Sequence, residues 1–372
     1  MDQTTGQVTK PTPETRLTVQ NDVQSGIFVK NTNKQLIVAP KQIGNDITGQ
    51  SSSKFGYSVS CNTDGSKYIV GSYAFESNKG RVDLYDYNAS SNEWVVNTSF
   101  GNKVNQLATG TNRFGYSVDM SSDGSRIVIA NYVGSIFAVT SSGDPIYETH
   151  PSGRTSGNDC AVKISGDGNT IISGYPEYSN DPNYGGVDIW IDSGSWVKYD
   201  WSNTDPAFTV EYGSQNSLLG ASIDINYTGT IVAIGEPGEN TVKMYKKSDS
   251  IWEIYGSVTS SESSTLFGWS ISMNRAGDIV AVGEPGFNSN SGRVCCYQRG
   301  ASSWIKLGEA FGEPSGVVES VSNLDSGITG EASGKYLSIN DLGNKMVVAS
   351  PAKDSTNGGV RFYEYFDNKW NL

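Results

Sequence analysis

One phrase recurs along this 372-residue chain and limits what the chain can fold into. FGYSVSCNTDGSKYIVGS at 55–72 returns as FGYSVDMSSDGSRIVIAN at 114–131. Each FG glycine is followed nine residues later by a turn glycine: Gly56 and Gly65, Gly115 and Gly124, Gly220 and Gly229, Gly268 and Gly277. Two degenerate copies keep the interval, from Asp159 to Gly168 and from Gly334 to Gly343. Eight residues after each turn glycine stands Tyr73, Tyr132, Pro176, Pro237, Pro285 or Pro351. Five copies continue into an alternating strand and then a tryptophan, as in GRVDLYDYNASSNEWV and GRVCCYQRGASSWIKLG, while the copy at 135–150 has Ile146 and Tyr147 in its place.

Period-two alternation makes each unit four short strands. In FGYSVS, Phe55, Tyr57 and Val59 share one face, and Gly56, Ser58 and Ser60 leave the other nearly bare, so close packing is expected there. NTDGS, SSDGS and SGDGN read as hairpin turns whose glycine takes positive φ. The following runs, such as TIVAIGEP, suit strands buried on both faces. A four-stranded antiparallel unit cannot bury two faces alone, but radial stacking buries each against the next. The expected fold is therefore all-β, a β-propeller of four-stranded antiparallel blades. The marks are 59, 44, 61, 48 and 66 residues apart, with the variation in loops.

The domain reading is a polar arm at 1–14 and a single propeller at 15–372, with repeats starting near 55, 114, 158, 219, 267 and 333. A degenerate unit at 15–50, containing GIFVKNTNKQLIVAPKQIG, favours seven blades, and six plus an N-terminal arm is the alternative. Ring closure is expected to bring the two termini together.

Composition narrows the partners. Net charge is −12 and the 27 Lys and Arg residues form no runs, which argues against nucleic acid. No segment approaches the roughly 18 apolar residues of a membrane helix, and the polar opening MDQTTGQVTKPTPETR has no secretory leader pattern. Cys61, Cys160, Cys295 and Cys296 lack metal or redox spacing and read as buried free thiols, the last two on opposite faces of a strand.

The units resemble FG-GAP-type repeats, the family that includes the integrin α-chain propeller, over about 50–372. The matching words are FGYSVSCNTDG, LFGWSISMNRAGDIVAVGEP and GRVCCYQRGASSWIKLG. The resemblance implies the propeller architecture and no one activity. The integrin-like calcium loop DxDxDG is absent, because these turns carry at most one or two carboxylates, so no metal or cofactor is expected.

Catalytic signals are lacking. His150 is the only histidine, and no GxSxG, phosphate loop or HExxH occurs. No catalytic or metal residue is assigned and binding residues are left unknown. Trp94, Trp196, Trp252, Trp304 and Trp370 recur at one place and read as packing residues, whereas Trp201 and Trp269 break the pattern. Asn88, Asn97 and Asn226 fall in glycosylation sequons. The expected function is non-enzymatic binding or structural support. Loops such as 133–158, 176–186 and 309–332 would meet a protein or glycan surface, in an extracellular, cell-surface or virion setting and within a larger assembly. The alternatives are a carbohydrate-binding lectin and a glycan-processing enzyme with carboxylates at the central funnel.

Overall fold

The computed structural model describes residues 27–29, 36–38, 42–149, 160–176, 185–199, 213–249, 251–290, 292–307, 317–318, 334–350, 359–366 and 369–371. It contains six four-stranded antiparallel meanders. Blade I comprises Phe55–Cys61, Lys67–Ser72, Val82–Asn88 and Glu93–Val96. Blade II comprises Ser117–Met120, Arg126–Ala130, Ile136–Thr140 and Pro145–Thr149; blade III, Ala161–Ile164, Thr170–Tyr175, Gly186–Asp192 and Trp196–Lys198. Blade IV comprises Ile223–Ile225, Ile231–Glu236, Thr241–Ser248 and Ile251–Thr259. Blade V comprises Ser270–Met273, Ile279–Glu284, Arg293–Arg299 and Trp304–Lys306, with Val317–Val318 pairing to its third strand. Blade VI comprises Tyr336–Ile339, Lys345–Ser350, Gly359–Phe366 and Lys369–Asn371.

Among the described residues the blade count is six, the alternative and not the favoured seven. Within 15–50, the described strands are only Ile27–Val29 and Leu36–Val38, a two-stranded ladder too small to be a four-stranded blade. The expected meeting of the termini and most of the variable loops lie outside the described residues. The chain forms two units, residues 1–47 with 87–94 and residues 48–86 with 95–372. In the first, Trp94 Nε1 donates to the Ile43 carbonyl at 3.0 Å and Tyr87 Oη to Asn92 Oδ1 at 2.8 Å.

Within the second unit, which holds all of blades II to VI and blade I apart from residues 87–94, five apolar cores lie one at each successive junction. Ile127 and Ile129 pack with blade I, while Val128 and Ala130 between them pack with blade III. That division explains why the second strand is a continuous apolar run. Cys295 and Cys296 separate in the same way, into the cores shared with blades IV and VI. Three of the recurrent tryptophans, Trp196, Trp252 and Trp304, are buried at the junction with the preceding blade.

The turn glycines adopt positive φ as expected, and the turns also link the blades. Thr63 N–H donates to Ser122 O, Ser122 to Gly166, Asp167 to Tyr227, Tyr227 to Arg275 and Arg275 to Asp341, all at 2.8–3.1 Å. The FG glycines differ from expectation. Gly56, Gly115, Gly220, Gly268 and Gly334 all take positive φ, and in blades II, IV, V and VI they precede the first strand instead of lying within its pleat. At three junctions the glycine carbonyl accepts from a serine of the preceding blade: Ser58 to Gly115 at 2.9 Å, Ser222 to Gly268 and Ser270 to Gly334 at 2.6 Å. The close approach is made on the second strand, where a Cβ on Gly71, Gly174, Gly235 or Gly283 would fall 2.0–2.2 Å from that carbonyl oxygen.

Candidate functional site

Two places in the second unit depart from the repeat. The first is the polar position four residues after each mark: Ser60, Asp119, Lys163, Asp224, Ser272 and Ser338. The first strand of a blade is an edge strand, so its outward N–H groups need acceptors. Side chains of the preceding blade supply them. Asp119 accepts from Ile164 N–H at 2.9 Å, Asp224 from Met273 N–H at 2.6 Å and the Ser272 hydroxyl from Ile339 N–H at 3.1 Å. Lys163 cannot accept, and at the next junction Ile225 N–H turns to Asp224 Oδ1 at 2.9 Å.

Lys163 Nζ lies 3.9 Å from Asp119 Oδ1. The Asp119 charge raises the lysine pKa against the opposing effect of desolvation, with Asp224 adding to the rise. Desolvation raises the Asp224 pKa, offset by Lys163 and by the two backbone N–H donors. Asp119 also receives the Ser60 hydroxyl at 2.7 Å. Both carboxylates are thus engaged in holding adjacent blades.

The second place is at the start of the first strand and the end of the second in blades I and II. Tyr57, Tyr73, Tyr116 and Tyr132 form a continuous aromatic cluster, with ring centroids 4.6 Å apart for Tyr57 and Tyr73, 5.0 Å for Tyr57 and Tyr116, 5.5 Å for Tyr73 and Tyr116, and 5.2 Å for Tyr116 and Tyr132. Tyr57 Oη donates to Tyr116 Oη at 2.9 Å. The Arg113 guanidinium lies 4.2 Å from the Tyr132 ring centroid and 5.7 Å from that of Tyr73, within cation–π range. Backbone bonds fix this corner: Arg113 N–H donates to Asn78 O and Tyr132 N–H to Asn112 O, both at 2.9 Å. Tyr57 is 48% exposed and the other three tyrosines are half-buried.

The sequence carries a signal for this cluster. Two residues before the mark, the backbone is left-handed at Lys54, Arg113, Leu218 and Leu266, with φ of 55–58°. Blades IV and V place leucine there and proline after the second strand, whereas blades I and II place a cation there and tyrosine at the later position. The fold is satisfied by either pair, so the fold alone does not require the tyrosines.

Other candidates resolve differently. His150 and Trp201 lie outside the described residues, and Trp269 is half-buried. Cys61 is exposed, contrary to the buried-thiol expectation, and among the described residues it joins none of the cores between blades; the other three cysteines are buried. Asn97 caps the helix Thr98–Val104 by accepting from Phe100 N–H at 3.0 Å, and Asn226 is buried in its turn. The turn carboxylates serve their own hairpins: Asp64 accepts from Ser66 N–H and Asp123 from Ser125 N–H. Among the described residues, no three His, Cys, Asp or Glu side chains come together as a metal cluster, and no helix is long and apolar enough to cross a membrane.

No family model and no curated protein matches the chain. Solved structures do. Two are described as a "putative 6-phosphogluconolactonase". The protein from Bacteroides uniformis has 13% identity and a TM-score of 0.54, covering 85% of this chain and 83% of the other. The protein from Bacteroides fragilis has 12% identity and a TM-score of 0.52, with 85% and 82% covered. The β-propeller domain of Cps50 (Swd1) from Myceliophteria thermophila has 10% identity and a TM-score of 0.51, with 83% and 82% covered. The fold is a β-propeller. At such identities the likeness extends to fold alone.

Proposed function

We propose that this protein is a non-enzymatic binding or structural component, which presents the tyrosine cluster and adjoining loops of blades I and II to a protein or glycan partner. The observation that carries this reading is the coordinated exchange of leucine and proline for a cation and tyrosine in two neighbouring blades. Tyrosine offers large contact area at low entropic cost and a hydroxyl for hydrogen bonding, which is why it concentrates in recognition surfaces. The resemblance to FG-GAP-type repeats, which occur in many secreted and surface proteins, is compatible with this reading.

The enzymatic alternative draws on the two neighbours described as lactonases and on the raised pKa of Asp224. Against it, each of Asp119 and Asp224 accepts a backbone N–H from the next blade, Ile164 and Met273, and their remaining oxygens take the Ser60 hydroxyl and Ile225 N–H. Glycan-array screening and partner capture with the intact protein, compared with a Tyr116→Ala/Tyr132→Ala variant, test the proposal. Binding by the wild type and at least tenfold weaker binding by the variant are expected. Turnover of glycosides or lactones that disappears in Asp224→Asn would overturn it.

A further inference from the structure

We infer that the tyrosine cluster takes an anionic sugar residue, one bearing a carboxylate, and this rests on the binding reading given above. Three repeat positions change together in blades I and II. Lys54 and Arg113 replace the leucines of blades IV and V, Tyr57 and Tyr116 follow the marks, and Tyr73 and Tyr132 replace the prolines. The result is an aromatic surface with the Arg113 guanidinium set over two of its rings. The chain as a whole carries a charge of −12, yet among the described residues neither Lys54 nor Arg113 forms an ion pair. The four tyrosines bring no formal charge of their own at neutral pH.

Each half of the surface selects a part of the ligand. Aromatic rings accept the C–H face of a pyranose by stacking, and their hydroxyls meet sugar hydroxyls. A guanidinium matches a carboxylate with two parallel hydrogen bonds. Backbone bonds fix the main chain at Arg113 and Tyr132, and the guanidinium already lies over the Tyr132 ring, which lowers the ordering needed on binding. The net negative charge disfavours long polyanions, which points to a single acidic residue such as a terminal uronic or sialic acid.

Calorimetry on the full-length protein tests this with uronic-acid- and sialic-acid-terminated oligosaccharides and with their methyl esters. At least one acid is expected to bind tenfold or more tightly than its ester. Arg113→Leu, which installs the residue that blades IV and V use at the same left-handed position, is expected to bring the acid down to the level of the ester. Arg113→Gln, which keeps a polar side chain but removes the charge, provides the same test should Arg113→Leu not fold. Tyr132→Ala is expected to weaken acid and ester alike. Equal binding of acid and ester overturns the inference while leaving glycan recognition standing. Binding of neither, or binding indifferent to Tyr132→Ala, overturns the inference and the glycan reading together.

Discussion

A methyl group on Gly283 would sit 2.0 Å from the carbonyl oxygen of Gly334. Gly283→Ala is therefore expected to lower stability by about 2–4 kcal/mol, read from denaturant unfolding, whereas Ala349→Gly should cost no more than about 1 kcal/mol. This contrast was legible in the sequence. Glycine occupies the second-strand position in blades I, III, IV and V, each followed by a blade with a mark glycine, and alanine occupies it in blade II, whose successor has Asp159, and in blade VI. Lys163 was not legible, because a lone polar residue in a strand gives no hint of which charges other blades bring to it. Its raised pKa means that its contribution is present below the unfolded lysine value and is lost as pH rises through the folded one. Asp224, also raised, costs stability as pH rises through the carboxylate range. Lys163→Met should thus cost about 1–2 kcal/mol at neutrality, discounted for the 40% exposure of the lysine side chain. The deficit should shrink in acid once the Asp224 carboxyl, raised by desolvation, protonates. An unchanged deficit there would contradict the coupling.

Elements divide their work between holding the ring of blades and meeting partners. Strand number, hairpin turns and the two-sided burial of the second strand followed from period and turn chemistry. The FG glycine was misplaced within a pleat because alternation alone does not reveal a left-handed residue, which here turns a carbonyl toward the preceding blade. The tryptophans belong to the holding elements. Trp304 is 8% exposed in the core between blades IV and V, with Nε1 donating to Tyr255 O at 3.3 Å. Trp304→Ala should cost about 3–5 kcal/mol and leave ligand affinity at the tyrosine cluster unchanged. A loss of binding without a loss of stability would reverse that assignment.

Across the second unit, five cores and a run of turn hydrogen bonds connect blade I through blade VI, and among the described residues none connects blade VI to blade I. Large apolar side chains are exposed at both ends of the series: Tyr57 and Val59 on blade I, and Tyr336, Val360 and Phe362 on blade VI. Blade number was the weakest sequence expectation, since length divided by repeat does not show whether a degenerate segment forms all four strands. Cys61, on the exposed face of blade I, should be the one thiol of four that reacts in the native protein. Desolvation raises its pKa, with the Asp119 charge adding to the rise, so labelling should accelerate as pH climbs above about 9. Reaction of Cys295 or Cys296 at a similar rate would contradict the described packing. The claim that the tyrosine cluster is the recognition surface is tested most directly by hydrogen–deuterium exchange with a bound partner or oligosaccharide. Protection is predicted in 73–81, 109–116 and 131–135; protection confined to the hairpin turns at 62–66, 121–125 and 274–278 would contradict it.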